Sequence, residues 1–435
     1  MSLKAKILVS MITLVLNIGL LKGQEESDLI LAKSYFNELD SLCNLDNGNL
    51  WGVNLYGATM FVFPESRMII ANEADKDGKL VHKDGLFIGK LPEKINIANT
   101  SIKWNGKNWS MVNWDAISKH HKYSRDKLLI HESWHRNQKK IGIMPTSTNN
   151  TYLDELKGCI LLKLEFMALD SALICEGDDK IYHLTNALEI RSYRQSIFPD
   201  NNENAFELHE GMAEYTGYKL CGIDKGMLPK VMEKQLEFGL DKDGLANSFP
   251  YLTGPAYGVL FDELKDDWHN EVKKGKTLSE IGRQIIDKNI PTDTTWLKEN
   301  VSKIIIHYKA ETLIKNETKK YEQQQQLVKQ YQQKFLEGNI LIIQNNNLHF
   351  GFNPQEKLIP IENGVVYKTM RLTGDWGIAD VKNGIFRSND WKYFILPAPT
   401  TNKEGKINET DYNLILNEGW KVVEIKEGKY TLSKK

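Results

Sequence analysis

His131 and His135 lie four residues apart, and Glu132 directly follows the first of them, which is the pattern HExxH. Four residues of α-helix turn through about 400°, so both imidazoles project from one face, roughly 6 Å apart along the axis. Both rings can then reach one Zn²⁺ ion at about 2.0–2.1 Å each. Glu132 lies at the edge of that face, where it can take a proton from a water molecule that the metal polarises. The pattern predicts a zinc site with its own general base.

The residues around this pattern are typical of a helix. Ser124 and Asp126 offer N-terminal caps, and the apolar run 128–130 supplies a buried face ahead of the ligands. The alternative is a chance match on a surface helix. The longer pattern HExxHxxGxxH is excluded, because Gln138 and Ile141 stand where its glycine and third histidine would be.

A catalytic zinc ion needs three protein ligands and one open position. A later segment offers carboxylates, with Glu207, Glu210 and Glu214 at spacings of three and four on one helical face. A solvated acidic face is the alternative interpretation. The neighbouring Met212 and Tyr215 mark the segment as buried, however, and a buried carboxylate requires a partner. This segment therefore carries the candidates for the third ligand.

At these residues the sequence resembles the gluzincin metallopeptidases, the group that contains thermolysin and aminopeptidase N. The segment His-Glu-Gly-Met-Ala matches an Asn-Glu-Gly-Phe-Ala motif of the aminopeptidase branch, so the resemblance implies Glu210 as the third ligand. Glu210 follows His135 by 75 residues, which departs from the family spacing and implies an insertion of helices over 151–196. Within the insertion, Arg191 and Arg194 are interpreted as ion-pair partners, the alternative being a clamp for a substrate carboxylate.

The resemblance also implies a catalytic tyrosine and a substrate strand. Tyr251, in a Pro-Tyr-Leu-Thr-Gly segment, corresponds to the tyrosine that stabilises the tetrahedral intermediate. The alternative is a tyrosine packed beside a proline turn. Met111 and Asn113 correspond to the strand that pairs with the substrate backbone. Val112 replaces the glutamate that holds the substrate α-amine in exopeptidases, which argues against an aminopeptidase and leaves β-addition of a peptide open.

Glu214 lies one helical turn beyond Glu210, so it shares that face and can lean toward the zinc helix. A zinc-bound histidine usually donates its free ring N–H to a carboxylate or carbonyl oxygen. Thermolysin-type gluzincins place an aspartate at this offset, so the resemblance implies Glu214 as the partner of His131 or His135. The competing assignments make Glu207 that partner, or make Glu214 a plain surface acid.

The first residues of the chain predict export. Lys4 and Lys6 precede an apolar run over 7–21, which is typical of a secretory signal peptide spanning 1–23. The alternative is an uncleaved N-terminal anchor. Removing this segment deletes three lysines and no acids, so the net charge of −1 becomes −4 and predicts no nucleic-acid surface. No later apolar run reaches membrane-spanning length, so we expect a secreted or periplasmic protein.

Changes in hydrophobic period along the rest of the chain predict an α+β fold. Residues 24–115 read as one amphipathic helix and a β-rich part, with a hairpin turn at Asn105 and Gly106. Residues 116–336 read as a mainly helical, gluzincin-like catalytic region, and residues 337–435 as a small all-β domain.

Taken together, these residues predict an exported Zn²⁺-dependent metallopeptidase that acts on a peptide or protein substrate. A secreted binding protein on a degenerate peptidase scaffold is the second interpretation, and a different zinc hydrolase is the third. The presence of ligands, base and oxyanion donor favours a peptidase, because a scaffold without activity usually loses one of them.

Overall fold

The computed structural model describes residues 26–147, 150–352, 358–400 and 403–434. Helices dominate the middle of the chain and sheets lie toward both ends, which confirms the α+β class. The chain forms two compact units that divide after Ile314. Among the described residues, no helix combines the length and the apolar character that crossing a membrane would require. The predicted signal peptide, 1–23, lies outside these residues.

The first unit begins with helix α1 (26–46) packed on a sheet. Phe36 of α1 stacks on Phe61 of the sheet, with ring centroids 4.2 Å apart. The strands of this sheet are β1 (Thr59–Val62), β2 (Met68–Ala71), β3 (Val81–Lys83), β4 (Leu86–Lys90), β5 (Thr100–Trp104) and β6 (Lys107–Asn113). They lie in the order β3-β4-β2-β1-β6-β5. Asn105 and Gly106 form the predicted hairpin turn with φ of 43° and 75°, which glycine and asparagine tolerate best.

Helices make up the rest of the first unit, and the segment 151–196 consists mainly of two packed helices, α3 and α4. One long helix contains a π-helical turn (Glu207–Gly211), which joins α5 to α6 without a break. The helices are α2 (Lys122–Ile141), α3 (Leu156–Ile174), α4 (Gly177–Ile197), α5 (Glu203–Phe206), α6 (Met212–Leu220), α7 (Leu228–Asp241), α8 (Pro250–Leu264), α9 (Trp268–Lys273), α10 (Leu278–Ile286) and α11 (Thr294–His307).

Helix α2 begins at Lys122, before the caps predicted from Ser124 and Asp126. His121 occupies the N-cap position, and no side chain there bonds the helix end. Asp126 is buried and instead accepts hydrogen bonds from Arg125 at 2.8 Å and from Lys122 at 3.1 Å. The predicted caps are therefore wrong, because the polar side chain is used in ion pairs within the first turns.

Helix α2 lies between the sheet and α6. Toward the sheet, Ser110 Oγ of β6 donates to the backbone carbonyl of Glu132 at 3.0 Å. Toward α6, Trp51 packs edge-on against Trp134 and donates its indole N–H to Thr216 at 2.8 Å. One apolar core joins α1, the sheet and these helices, so the predicted N-terminal part and helical region form a single unit.

The second unit begins within helix α12 (Glu311–Gln332) and is otherwise built of strands. Tyr331 and Phe335 share an apolar cluster with Val366, which explains why the division falls after Ile314 and not at the predicted position 336. Two sheets have the strand orders β17-β18-β7-β14-β13-β10-β9 and β15-β16-β12-β11-β8. The strands are β7 (Ile340–Gln344), β8 (His349–Gly351), β9 (Ile359–Ile361), β10 (Gly364–Tyr367), β11 (Met370–Gly374), β12 (Gly377–Val381), β13 (Ile385–Ser388), β14 (Tyr393–Pro397), β15 (Lys406–Asn408), β16 (Tyr412–Leu416), β17 (Trp420–Lys426) and β18 (Lys429–Lys434).

Candidate metal centre

The three predicted ligands converge on one point. His131 and His135 project from α2 with their Nε2 atoms 3.0 Å apart. Glu210 projects from the π-helical turn, and its Oε2 lies 3.5 Å from His131 Nε2 and 3.4 Å from His135 Nε2. Each residue offers one ligand atom, and the three atoms all lie within 4.8 Å of one another. Residues 75 positions apart in sequence thus form a single cluster.

The other ring nitrogen of each histidine is occupied by an oxygen acceptor. His131 Nδ1 lies 3.0 Å from Glu214 Oε2, and His135 Nδ1 lies 3.0 Å from Gln138 Oε1. Since a carboxylate or amide oxygen can only accept, we assign the proton of each neutral ring to Nδ1. Both Nε2 lone pairs then point into the cluster, which is the arrangement of metal-binding histidines.

This donor set fits a zinc ion. Two imidazole lone pairs and a carboxylate oxygen at these distances repel one another unless a cation lies between them. Ligands on a tetrahedral Zn²⁺ ion with bonds of about 2.0–2.1 Å lie roughly 3.4 Å apart. The two distances from Glu210 match that value, and the histidine pair would open by about 0.4 Å. Two imidazoles and one carboxylate also leave a fourth position for catalysis.

Two glycines allow the helices that carry Glu210 and Tyr251 to approach each other. A Cβ atom on Gly254 of α8 would lie 2.4 Å from the Cα of Gly211, and one on Gly211 would lie 3.0 Å from the Cα of Gly254. The first distance is too short for a side chain, and the second is tighter than most contacts of real Cβ atoms. Tyr251, one turn before Gly254, therefore reaches the π-helical turn and donates its hydroxyl to Glu210 Oε2 at 2.6 Å. π-Helical turns are frequent at functional sites.

Glu132, on α2, lines the same cleft as the three predicted ligands, and one oxygen of its carboxylate is unpaired within the described part of the chain. Its side chain is 4% exposed, and its Oε2 has no hydrogen-bond partner among the described residues. An unpartnered buried carboxylate oxygen is costly and is usually retained for a ligand or a reaction. Burial raises the pKa of Glu132 above its ordinary value, which makes the carboxylate a better proton acceptor.

The charges of the cluster are strongly coupled. Without a metal ion, burial lowers the pKa of His131, but its contacts with Glu210 and Glu214 outweigh that effect and raise the pKa to about 10, so a metal ion bound at Nε2 would replace a proton there. Burial raises the pKa of Glu210, but contacts with His131 and His135 outweigh it and hold the pKa well below its usual range. For Tyr251, burial and the neighbouring Glu210 both raise the pKa, so its hydroxyl keeps its proton and acts as a donor.

Glu214 lies against helix α2 and is buried. Besides His131, its carboxylate contacts Lys127, whose ammonium group lies 4.6 Å from the ring centroid of Tyr218. Burial raises the pKa of Glu214, but His131 and Lys127 outweigh it and lower the pKa below its ordinary value. The competing candidate Glu207 is placed elsewhere, in an ion pair with Arg191.

Sequence reasoning missed Gln138 and His209 beside the centre. Gln138 is 1% exposed, and its Oε1 lies 3.0 Å from both His135 Nδ1 and His209 Nδ1. His209 Nε2 in turn lies 3.2 Å from Glu210 Oε1. The spacing of three residues between His135 and Gln138 was an available signal, since such residues are neighbours on a helix. The contact with His209 depends on how two helices pack.

The predicted substrate strand is corrected by the sheet topology. Strand β6 pairs with β1 on one side and with β5 on the other, so it has no free edge for a peptide. The side chain of Met111 is fully buried, and the N–H of Asn113 is taken by Asn99 Oδ1 at 2.9 Å. Met111 and Asn113 therefore support the sheet, and backbone pairing with a substrate does not fit their position.

Strand β5 is an edge strand of the sheet formed by the described residues. One side of its backbone is therefore unpaired near the centre. The N–H of Ser110 bonds the carbonyl of Ala58, so the backbone of Ser110 faces β1 and not β5. Its cross-strand partner Ser101 consequently turns its own N–H and C=O to the outer edge. The same holds for Lys103 two residues later, because the direction alternates along a strand.

Two adjoining lobes of a cleft open at the metal centre, and both are lined by Asn99, His131, Glu132 and Tyr251. The strand lobe measures about 660 Å³, and the helix lobe about 780 Å³. The strand lobe is further lined by Ser101, Lys103, Lys107, Arg136, Lys139 and His209. The helix lobe is further lined by Ala116, Tyr123, Leu128, Tyr218, Ile223 and Val231. Volumes of this size accommodate several residues of an extended chain.

No protein-family model, no curated protein and no solved structure matches this chain. The function is therefore argued from the chemistry of the centre and from the motifs in the sequence.

Proposed function

We propose that this protein is a zinc-dependent peptidase that hydrolyses peptide bonds and, given its N-terminal segment 1–23, acts outside the cytoplasm. The observation that carries the proposal is the convergence of three metal donors with two catalytic groups. His131, His135 and Glu210 aim one atom each at a common point, and Glu132 and Tyr251 line the same cleft. The motif-level resemblance to gluzincins supports the same assignment.

Each residue of the centre has a chemical role that its contacts support. A zinc ion bound there would polarise the scissile carbonyl and lower the pKa of a water molecule. Glu132 has a free, buried oxygen and accepts the proton of the attacking water, then passes it to the leaving amine. Tyr251 keeps its proton and donates it in a hydrogen bond to the oxygen that becomes negatively charged.

An extended peptide suits the surroundings of the centre. The outer backbone groups of Ser101 and Lys103 offer donors and acceptors to an added strand, and both residues line the strand lobe. The alternation of these groups along β5 matches that of a peptide backbone. A small rigid substrate would use neither the edge nor the length of the two lobes.

Digestion of a peptide library by the mature protein tests the proposal. We expect cleavage by the zinc-loaded protein, no cleavage after chelation, and recovery when zinc is added back. Glu132→Gln should bind zinc but lower turnover by roughly a hundred- to ten-thousandfold, since an amide cannot accept the proton.

Glu176→Gln is the matched control, because Glu176 is exposed at the start of α4, and this variant should cleave like the parent. A zinc-loaded parent that cleaves no peptide of the library would contradict the proposal. So would equal turnover in Glu132→Gln and the parent.

A further inference from the structure

The two lobes of the cleft differ in charge. The helix lobe has a mixed lining of apolar, aromatic and polar side chains, and its lysine, Lys127, is paired with Glu214. In the strand lobe, apart from Glu132 and Glu210 of the metal centre, every charged side chain among the described residues is a cation. These cations are Lys103, Lys107, Arg136 and Lys139.

Most of this positive charge is not neutralised by the chain itself. Lys107 pairs with Glu73 at 2.7 Å. The guanidinium of Arg136 donates to backbone carbonyls, including that of Ala58 at 2.9 Å, and has no carboxylate within ion-pair distance among the described residues. Lys103 and Lys139 are exposed, and within the same residues neither has a carboxylate oxygen within 4.0 Å. The strand lobe therefore attracts negative charge.

The position of Lys103 on β5 would place its side chain beside a peptide bound at the free edge of this strand. Lys103 pairs across the hairpin with Asn108, so their side chains lie on the same face of the sheet. Asn108 donates its amide to the backbone carbonyl of Arg136 at 3.1 Å, which identifies this face as the one turned to α2. A peptide residue opposite Lys103 on the free edge would have its side chain on that face. Lys139, one turn beyond Arg136, lines the same lobe.

We propose that the strand lobe selects an aspartate or glutamate side chain of the substrate, so that the enzyme prefers acidic peptides. This inference rests on the proposed peptidase function and names its substrate class. Asn99 lines both lobes beside the centre, and Lys103 lies four residues further along the chain, about 13 Å away for an extended strand. The acidic residue is therefore expected three or four positions from the scissile bond.

A set of matched peptides measures this preference. One cleavable peptide, acetylated at its N-terminus and amidated at its C-terminus, is made with Glu, Gln or Lys at each position within four residues of the scissile bond. We expect kcat/KM to be roughly tenfold higher for Glu than for Gln at a position three or four residues away, and lowest for Lys. The difference should shrink at about 0.5 M salt, because the cations are exposed.

Charge reversal assigns the preference to these residues. Lys103→Glu combined with Lys139→Glu should make the Lys peptide the better substrate. Lys140→Glu is the matched control, since Lys140 is an exposed neighbour on α2 outside the lobe, and it should keep the parent's preference. Binding of the labelled Glu and Lys peptides to Glu132→Gln by fluorescence anisotropy gives a second readout that needs no turnover.

Equal cleavage of the three peptides and equal binding of the Glu and Lys peptides would overturn the inference while leaving the peptidase function standing. The lysines would then serve to keep an edge strand from pairing with other chains. A preference that survives the double reversal would also overturn it. Binding of the Glu peptide without cleavage by the zinc-loaded parent would contradict the peptidase function and retain the acidic-peptide site.

Discussion

Two buried clusters of charge lie side by side in the first unit, and they are completed in different ways. In the ion-pair network of α4 and its neighbours, Arg191 bonds both oxygens of Glu207 at 2.7 Å and Glu165 at 2.8 Å. Arg194 bonds both oxygens of Glu203 at 2.7 and 2.8 Å. Every carboxylate of this network faces a guanidinium group of the same chain.

In the metal centre, unlike in this network, the charged groups are not each paired with an opposite charge. Its histidine lone pairs and the oxygen of Glu210 face one another, and Oε2 of Glu132 has no partner among the described residues. Lys127 is the nearby cation, but it is held on the far side of His131 by Glu214. Among the described residues, no lysine or arginine pairs with Glu210 or with the free oxygen of Glu132.

The comparison teaches that burial and charge alone do not identify a functional site. Glu207 and Glu210 lie in the same π-helical turn, yet Glu207 is saturated by Arg191 and by Thr253, whereas Glu210 faces the open cluster. We interpret the network as the support that fixes this turn and α8, and the centre as the place where a ligand from outside completes the charge balance.

The largest effect is expected from breaking the closed network. Arg191→Met leaves buried Glu207 without its cation and removes one of the two guanidinium groups that face Glu165, which should lower the free energy of unfolding by about 3–5 kcal/mol. Chemical denaturation of the zinc-free protein measures this value. Glu210→Gln, three residues from Glu207, is the matched variant and should lower it by much less. Similar losses in both variants would show that the two clusters are not distinct.

Next in size is the effect of removing the hydroxyl of Tyr251. Tyr251→Phe should lower kcat by roughly a hundredfold, because one donor to the oxyanion is lost, with little change in KM. Zinc content should stay that of the parent, since Tyr251 contributes no ligand atom to the cluster. If steady-state kinetics of variant and parent agree, Tyr251 is a packing residue beside the proline of α8.

A smaller effect is expected from the partner of His131. Glu214→Ala should weaken zinc binding by roughly ten- to a hundredfold, as measured by competition with a chelator, because the ring loses the acceptor that orients it. Glu214→Gln keeps an oxygen acceptor for His131 Nδ1 and should recover part of the affinity. An unchanged zinc affinity in Glu214→Ala would remove this residue from the centre.

The two histidines of the centre could be predicted because their relative geometry is set within one helix. The spacing of His131 and His135 fixes their relative direction once a helix is assumed, and the structure has that helix. The hairpin at Asn105 and Gly106 was equally local, and it is confirmed. The α+β class followed from the change of hydrophobic period along the chain, for the same reason.

The rest depends on contacts between distant segments. The approach of Glu210 and Tyr251 requires Gly211 and Gly254 to meet, and nothing in either segment alone specifies that contact. Met111 and Asn113 were assigned to a substrate-pairing strand from a motif match, and such a match does not tell an inner strand from an outer one when both pair in a hairpin. The contact of Gln138 with His209 could not be predicted either, since it joins two helices 71 residues apart, whereas its contact with His135 is local.

Zinc content tests the central claim most directly. The mature protein, reconstituted with zinc and passed through a desalting column, should carry about one zinc ion per chain by elemental analysis, since three protein ligands hold a catalytic ion. His135→Ala should lose it, because two remaining ligands do not hold such an ion, while His121→Ala at the exposed start of α2 should retain it. A reconstituted parent without near-stoichiometric zinc, or a His135→Ala variant that binds it as the parent does, would contradict the account.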